Sequence, residues 1–373
     1  MGIKIIIISY GLREYDGRLH EIIKSCKNVG DTQVICLSTS RKDNSIDKNE
    51  YYVYQNNRKY LGFSLYLSFF IAAIRMIIKE SKSLPIIFID NFYSAPIGML
   101  IKFLWPKLFI IQDCRELYFK ENMPGLGKIF CFFEEKLMKK ANLVFCANKY
   151  RSNIMKEKFS LDVSPSVYDN VRFLTKTTNI SYLDEKYNYL FKRKWSIIST
   201  GGYSIGRRTD KLISEFMKLD SCDFELLILG SGPTEDRKKI ENMIGSASNI
   251  YLLGKVDINE LAYFVSKSSI GVVSYNQNDL NNEYCSSGKL YEYLGEGIPV
   301  VTTENLPLKE FCDINKIGIS NNQFQIGILE VTQNYDVYKK SVEKFMNKFD
   351  LESNNKSMEV AIKKSLRDGG VLN

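Results

Sequence analysis

The sequence has a single histidine, His20, and eight cysteines that include no C-x-x-C pair. Structural zinc sites need Cys and His in close pairs, so a zinc module is not expected. Scattered cysteines fit a reducing cytoplasm better than a disulfide framework. No Asp-x-Asp motif occurs to hold a divalent cation, and no metal is expected. The loop after the first apolar run lacks G-x-G-x-x-G, so that end carries no dinucleotide motif. No nucleic-acid motif is present, and no nucleic-acid partner is expected. The apolar start Ile5–Ile8 is short, and Lys4 lies within the segment instead of forming a basic flank. It does not read as a signal peptide.

What is present is an ordinary soluble composition, 45% hydrophobic and 25% charged over 373 residues. That length accommodates two domains. The net charge of +8 is uneven: residues 1–194 carry 31 Lys and Arg against 19 Asp and Glu, and the remainder carries 20 against 24. A basic first half points to an anionic partner, with a membrane surface or a pyrophosphate-lipid ranked first.

Periodicity gives two α/β sets. Lys4–Ser9 reads as a buried strand, followed by a loop with Asp16, Gly17 and Arg18 and a helix marked by Leu19, Ile22, Ile23 and Cys26. His20, in the first turn of that helix, reads as a surface or satisfied residue. Gln33–Leu37, Pro85–Ile89, Leu108–Ile111, Leu143–Ala147 and Ser166–Asn170 are further strands. Residues 41–60 read as a polar connection. Leu61–Ile78 approaches the ~20 residues of a membrane span, but Arg75 lies within it and Lys79 follows. It reads as a helix, partly core and partly a surface for lipid. Lys128–Lys140 is amphipathic through Phe130, Phe133 and Leu137, and is either a core helix with a solvated face or a membrane-surface helix. Residues 173–194 lack periodicity and are placed as the inter-domain linker. The second set has strands Ser196–Thr200, Phe224–Leu229, Asn249–Leu253 and Ile270–Ser274. The tail 333–369 reads as helical, with Met358, Ile362 and Leu366 as a buried face.

The richest stretch is Glu283–Thr303. Cys285-Ser286-Ser287-Gly288 leads into a short helix with Leu290, Tyr291 and Leu294, which Gly295 and Gly297 end. Pro299 and the apolar pair Val300-Val301 follow. Free N–H groups at that helix start, beside Ser287, Gly288 and Lys289, make an anion site suited to phosphate. Glu292, one turn on, offers a carboxylate to sugar hydroxyls. Upstream, Gly201-Gly202-Tyr203-Ser204-Ile205-Gly206-Arg207-Arg208 is a glycine-rich loop with two arginines.

The run Glu292-Tyr293-Leu294-Gly295-Glu296-Gly297-Ile298-Pro299-Val300-Val301 resembles the donor-binding motif of family 4 nucleotide-sugar glycosyltransferases with the GT-B fold. The resemblance implies two Rossmann-like doubly wound domains facing across a cleft. These would span residues 1–172 and 195–350, with 351–373 crossing back to the first domain. It implies Glu292 on the donor ribose, with Glu283 and Tyr284 at the place of the family's second glutamate. It implies Arg207, Lys289, Ser287 and Gly288 on the donor diphosphate, and backbone at Lys255 and Val256 near the base. Gln112-Asp113-Cys114-Arg115-Glu116 resembles the family's D-x-H-E segment. This makes Asp113, Arg115 and Glu116 the catalytic candidates, with Arg115 where the histidine usually stands. Asp16, Gly17 and Arg18 would face the acceptor.

The implied reaction is transfer of a hexose from a nucleotide diphosphate sugar to a glycan or polyprenyl-diphosphate-linked acceptor. It would run without metal or other cofactor, with retained configuration. The composition looks bacterial, and the implied setting is surface polysaccharide assembly on the cytoplasmic membrane's inner face. A nucleotide-sugar 2-epimerase and a non-catalytic partner subunit of another transferase remain the alternatives.

Overall fold

The computed structural model describes residues 2–39, 49–56, 58–60 and 62–372. The chain divides into two compact units, Met1–Asn170 with Leu351–Asn373, and Val171–Asp350.

The first unit is built on a seven-stranded parallel sheet. Its strands are β1 (Lys4–Leu12), β2 (Asp31–Ser38), β3 (Glu50–Tyr54), β4 (Ile86–Asp90), β5 (Ile110–Cys114), β6 (Leu143–Cys146) and β7 (Ser166–Val167). The order β3-β2-β1-β4-β5-β6-β7 reverses direction at β1. The isoleucine run of β1 feeds both faces, because successive side chains of a strand point opposite ways. Ile5 and Ile7 pack with Leu19, Ile22 and Cys26 of the helix Gly17–Lys27 and with Met358, Ile362 and Leu366 of the helix Leu351–Asp368. Ile6 and Ile8 pack with Leu65, Phe69, Ala73 and Ile77 of the helix Phe63–Glu80. A sheet covered on both faces explains why its strands read as unbroken apolar runs.

The second unit repeats the plan with β8 (Trp195–Ser199), β9 (Phe224–Leu229), β10 (Ile250–Gly254), β11 (Ile270–Val273), β12 (Val300–Thr302) and β13 (Gly318–Ser320). The order is β10-β9-β8-β11-β12-β13, all parallel. Ile197, Leu226 and Ile228 fill one layer, and Ile198, Leu227 and Leu229 the other. Each sheet therefore has the doubly wound order of a Rossmann-like domain, which places ligands outside the carboxyl ends of the strands at the reversal.

Several expectations need correction. Residues 173–194 are no free linker: the segment folds onto the second unit through the helix Ile180–Lys186, with Leu183 and Leu190 buried beside Tyr263 and Phe264. Of the expected polar connection 41–60, residues 41–48 and 57 lie outside the described residues, as does Leu61 of the apolar run. Glu50–Tyr54 is a strand, paired with β2. The tail is two helices, Tyr335–Lys348 and Leu351–Asp368, separated where Phe349 turns extended and packs its ring against Phe173, Tyr291 and Phe345. No described helix is long and apolar enough to cross a membrane.

Candidate functional site

The second sheet reverses between β8 and β11, and the loops there hold the glycine-arginine sequence. Leaving β8, Gly201 has φ +80°, and a Cβ on it would lie 2.5 Å from Lys289 Cε. The positive φ favours glycine, and a side chain there would push the lysine stem aside. Arg207 closes the turn. Its Nη1 donates to Gly201 O at 2.8 Å, and its own carbonyl accepts from Ser274 Oγ at 2.8 Å. Ser204 Oγ accepts from Arg207 N at 3.1 Å. Arg208 does different work: its guanidinium donates to the side chain and backbone oxygens of Asn322 at 2.5 and 3.2 Å.

The helix Gly288–Gly295 faces this loop. Ser287 precedes it without a side-chain cap bond, and Tyr275 Oη donates to Ser287 Oγ at 3.3 Å. Leu290 N donates to Ser287 O at 3.2 Å, which leaves the N–H groups of Gly288 and Lys289 for another acceptor, at the positive end of the helix. Tyr293 fixes the helix to the sheet. Its buried ring lies over Gly271, and its hydroxyl accepts from Thr200 N at 3.0 Å. The helix runs through Gly295 and ends at Gly297, whose φ of +75° accompanies Gly297 N to Leu294 O at 2.9 Å and Ile298 N to Tyr293 O at 3.2 Å. That is a Schellman ending, so Gly297 alone stops the helix.

Lys289 is only 8% exposed. Burial, and then the Arg207 guanidinium, push its pKa down to about 7. Glu292, 3% exposed, lies with its Oε1 2.5 Å from Arg172 Nε. Arg172 also repels the Lys289 charge. Arg172 and Arg207 thus both lie near enough to repel the Lys289 charge, while Glu292 attracts it and pairs with Arg172. Such a surplus of positive charge and free N–H donors suits a multiply charged anion.

Of the expected donor residues, Arg207, Lys289, Ser287, Gly288 and Glu292 converge here. Glu283 ends the short helix Leu280–Glu283, and Tyr284 follows; both are half-buried. Lys255 and Val256 follow β10, two strands from β8, the first exposed and the second half-buried. Sequence reading missed Arg172, which it assigned to the end of the first domain. The sign available was a lone arginine between the apolar residues Val171 and Phe173.

The expected catalytic and acceptor residues of the first unit form an ion network. Asp16 caps the helix Gly17–Lys27 by accepting from Leu19 N at 2.9 Å, and Gly17 opens that helix. Arg18 is 5% exposed; it donates to both Asp113 oxygens at 2.8 and 2.7 Å and to Tyr168 O at 2.8 Å. Arg115 binds Asp16 at 2.8 and 2.7 Å and Asp90 at 2.6 and 2.5 Å. Burial pushes Asp90 up to about 6, although Arg115 opposes it. For Asp16, burial raises the carboxyl, but Arg115, the Leu19 N–H and Arg18 together hold it below its ordinary value. Glu116 pairs with Arg151 at 3.0 Å. Arg18 and Asp113 are therefore buried and paired with each other, while Arg115 is engaged by Asp16 and Asp90 with 19% of its side chain exposed. A buried aspartate between two guanidinium nitrogens has no exposed lone pair to offer. The carboxylates of Asp16 and Asp90 offset the Arg115 charge and leave it little attraction for an anion.

Residues 196–325 match the sequence profile of the family described as Glycosyl transferases group 1. A search of curated protein sequences gave no match. Among solved structures, sucrose-phosphate synthase from Thermosynechococcus elongatus superposes with a TM-score of 0.75 at 14% identity, covering 98% of this chain and 100% of that one. HepE from Anabaena, in complex with UDP, gives 0.69 at 14% identity, covering 98% and 100%. WaaG, a glycosyltransferase involved in lipopolysaccharide biosynthesis, gives 0.68 at 12%, covering 96% and 98%. The shared architecture is the GT-B fold.

Proposed function

We propose that this GT-B glycosyltransferase chain, with its group 1 glycosyl transferase segment in the second unit, moves a hexose from a nucleoside diphosphate sugar to a hydroxyl of a glycan or lipid-linked glycan. The observation that carries the reading is the gathering of Arg172 and Arg207 near Lys289 at the start of the helix Gly288–Gly295, with Glu292 paired to Arg172. The departing group is a nucleoside diphosphate, and its charge grows as the C1–O bond breaks. Fixed cations and helix amides stabilise that charge without reorganising. The electron pair of the broken bond goes to the diphosphate, the acceptor oxygen bonds to C1, and the hydroxyl proton leaves with the diphosphate. Glu292 accepts from the ribose hydroxyls. The resemblance to family 4 favours retention, and the three side-chain cations supply charge that a metal provides in other transferases. HepE, the Anabaena neighbour, is a UDP complex, which favours a uridine donor.

The test is calorimetric titration with UDP-, GDP-, CMP- and dTDP-sugars, with and without magnesium. One nucleotide class should bind without metal, and Arg207→Ala and Glu292→Ala should each weaken it by about tenfold to a hundredfold, since bonds to charged groups are worth about 1.5–3 kcal/mol. Absence of binding at millimolar nucleotide would overturn the reading and favour a partner subunit.

The acceptor is proposed to be carried by a lipid at the inner face of a bacterial cytoplasmic membrane. The helix Phe63–Glu80 turns Phe63, Leu67, Ile71 and Ile78 outward. On the neighbouring helices Ala95–Leu104 and Gly127–Met138, Phe103 is 80% exposed, and Ile129 and Phe132 are exposed too, beside Lys102, Lys128 and Lys136. Aromatic residues among lysines suit an anionic bilayer surface. Phe103→Glu with Phe132→Glu should cut sedimentation with phosphatidylglycerol vesicles by about tenfold, the scale of two lost apolar anchors. Unchanged sedimentation would rule this face out.

A further inference from the structure

Residues 171–174 run along the helix Gly288–Gly295, and two glycines let them do so. A Cβ on Gly288 would lie 2.8 Å from Arg172 Nε, and one on Gly295 would lie 2.8 Å from the Phe173 ring. Val171 is buried and Leu174 packs into the core below. Arg172 is thereby laid over the first turn of the helix, where the proposed diphosphate binds. Its backbone is anchored by apolar neighbours on both sides, but its side chain is 35% exposed.

The contact of Arg172 with Glu292 is unusual in kind. Nε and Oε1 are 2.5 Å apart, yet the N–H is not aligned on the oxygen and makes no hydrogen bond. The pair is held by charge, not by the oriented, bidentate bonding that makes arginine–carboxylate pairs durable. Each partner also lacks what it would gain from a nucleotide. Glu292 is a buried acceptor suited to a diol, and Arg172 is a cation beside two others, Lys289 and Arg207.

We propose that Arg172 is a displaceable counter-ion of the donor site: it neutralises Glu292 while the site is empty, and moves onto the diphosphate when the ribose hydroxyls take Glu292. This rests on the nucleoside diphosphate reading above. It makes ribose and diphosphate binding mutually reinforcing, because each releases the other's partner. A ligand with only one of the two parts must break the Arg172–Glu292 pair with half the compensation. The site thus prefers an intact nucleoside diphosphate over inorganic pyrophosphate or a bare nucleoside by more than their separate affinities give.

The experiment compares inorganic pyrophosphate with UDP, or with whichever nucleoside diphosphate the panel selects, by calorimetry. The proteins are wild type, Glu292→Gln, Arg172→Gln, the double variant, and Arg207→Gln. Glu292→Gln frees Arg172, so pyrophosphate should bind about tenfold more tightly while the nucleotide binds more weakly. In the double variant the gain for pyrophosphate should vanish. Arg172→Gln alone, at a part-exposed position, should weaken the nucleotide about tenfold. A gain for pyrophosphate that persists in the double variant, or no gain in Glu292→Gln, overturns the counter-ion role. If Arg207→Gln still weakens the nucleotide in that case, the donor-site reading stands without it. If Glu292→Gln does not fold, an unchanged nucleotide affinity in Arg172→Gln is enough to overturn the proposal. If wild type binds neither probe, both readings fall together.

Discussion

Arg115→Met should lower the calorimetric melting temperature by about 10 °C, because removing one partner of a buried ion network costs about 3–5 kcal/mol and each kcal/mol is worth about 2–4 °C in a unit of this size. The guanidinium is the only group bonded to both Asp16 and Asp90 in the described structure. Without it, fully buried Asp90 must become neutral or remain an unpaired charge. The pH dependence gives the sign. Asp90 already titrates at about 6 in the folded state, above its ordinary range, so the folded chain holds that proton more tightly than the unfolded one. Stability from this group is full at acid pH and is lost as pH rises through about 6. Asp16 behaves oppositely, its carboxyl lowered by Arg115, and the stability it contributes above the ordinary carboxylate range disappears with the arginine. The deficit of Arg115→Met should therefore be larger at pH 8 than at pH 5, and Asp90→Asn should recover part of it. A loss of nucleotide binding with an unchanged melting temperature would show instead that Arg115 is a ligand residue, against the geometry described.

Lys289→Met should do the reverse to stability while removing most of the nucleotide affinity. Burial and the neighbouring Arg207 make the lysine charge costly, pulling its pKa to about 7. Between that value and the ordinary lysine range the unfolded chain holds more protons than the folded one, so wild-type stability should rise with pH across this interval. The methionine variant should lack that slope and melt higher near pH 7, since apolar replacements of buried charges are often stabilising by about 1–4 kcal/mol. Binding runs the other way. On the proposed reading a bound diphosphate would raise the Lys289 pKa, so binding would take up a proton and affinity should fall as pH rises above about 7. Lys289→Met should weaken the nucleotide about a hundredfold at pH 7, the loss of one charge-assisted contact at about 2–3 kcal/mol, and should flatten the pH profile between 7 and 9. A wild-type affinity independent of pH in this range would mean that Lys289 does not meet the anion. Stabilisation with lost binding would identify the lysine as a functional residue kept at a cost to the fold.

Much of the fold was legible in the sequence. The runs Ile5–Ile8 and Leu226–Leu229 are unbroken because a parallel sheet buries both faces, and that pattern is local. The stop at Gly297 and the β8 loop glycines are local too, since they answer to φ and to close approach. Glu50–Tyr54 escaped although Tyr51-Tyr52-Val53-Tyr54 favours a strand, because it is an edge strand with no fully buried residue, set within a polar stretch. Residues 173–194 escaped because their anchors, Leu183 and Leu190, are too few and too far apart to show a period.

Sequence by itself determined the two α/β sets, the helix start at Ser287–Lys289 and the carboxylate of Glu292 one turn on. Those follow from spacing along a single element. Tertiary structure alone decided how the charges are shared. Arg18 and Asp113 are 95 residues apart in the chain and form a closed buried pair, which takes both away from ligand contact. Arg172 and Glu292 are farther apart still in sequence, and only the packing of residues 171–174 along the helix brings the two together. The physical reason is that an ion pair depends on distance in space, and the chain sets that distance only after both sheets have closed.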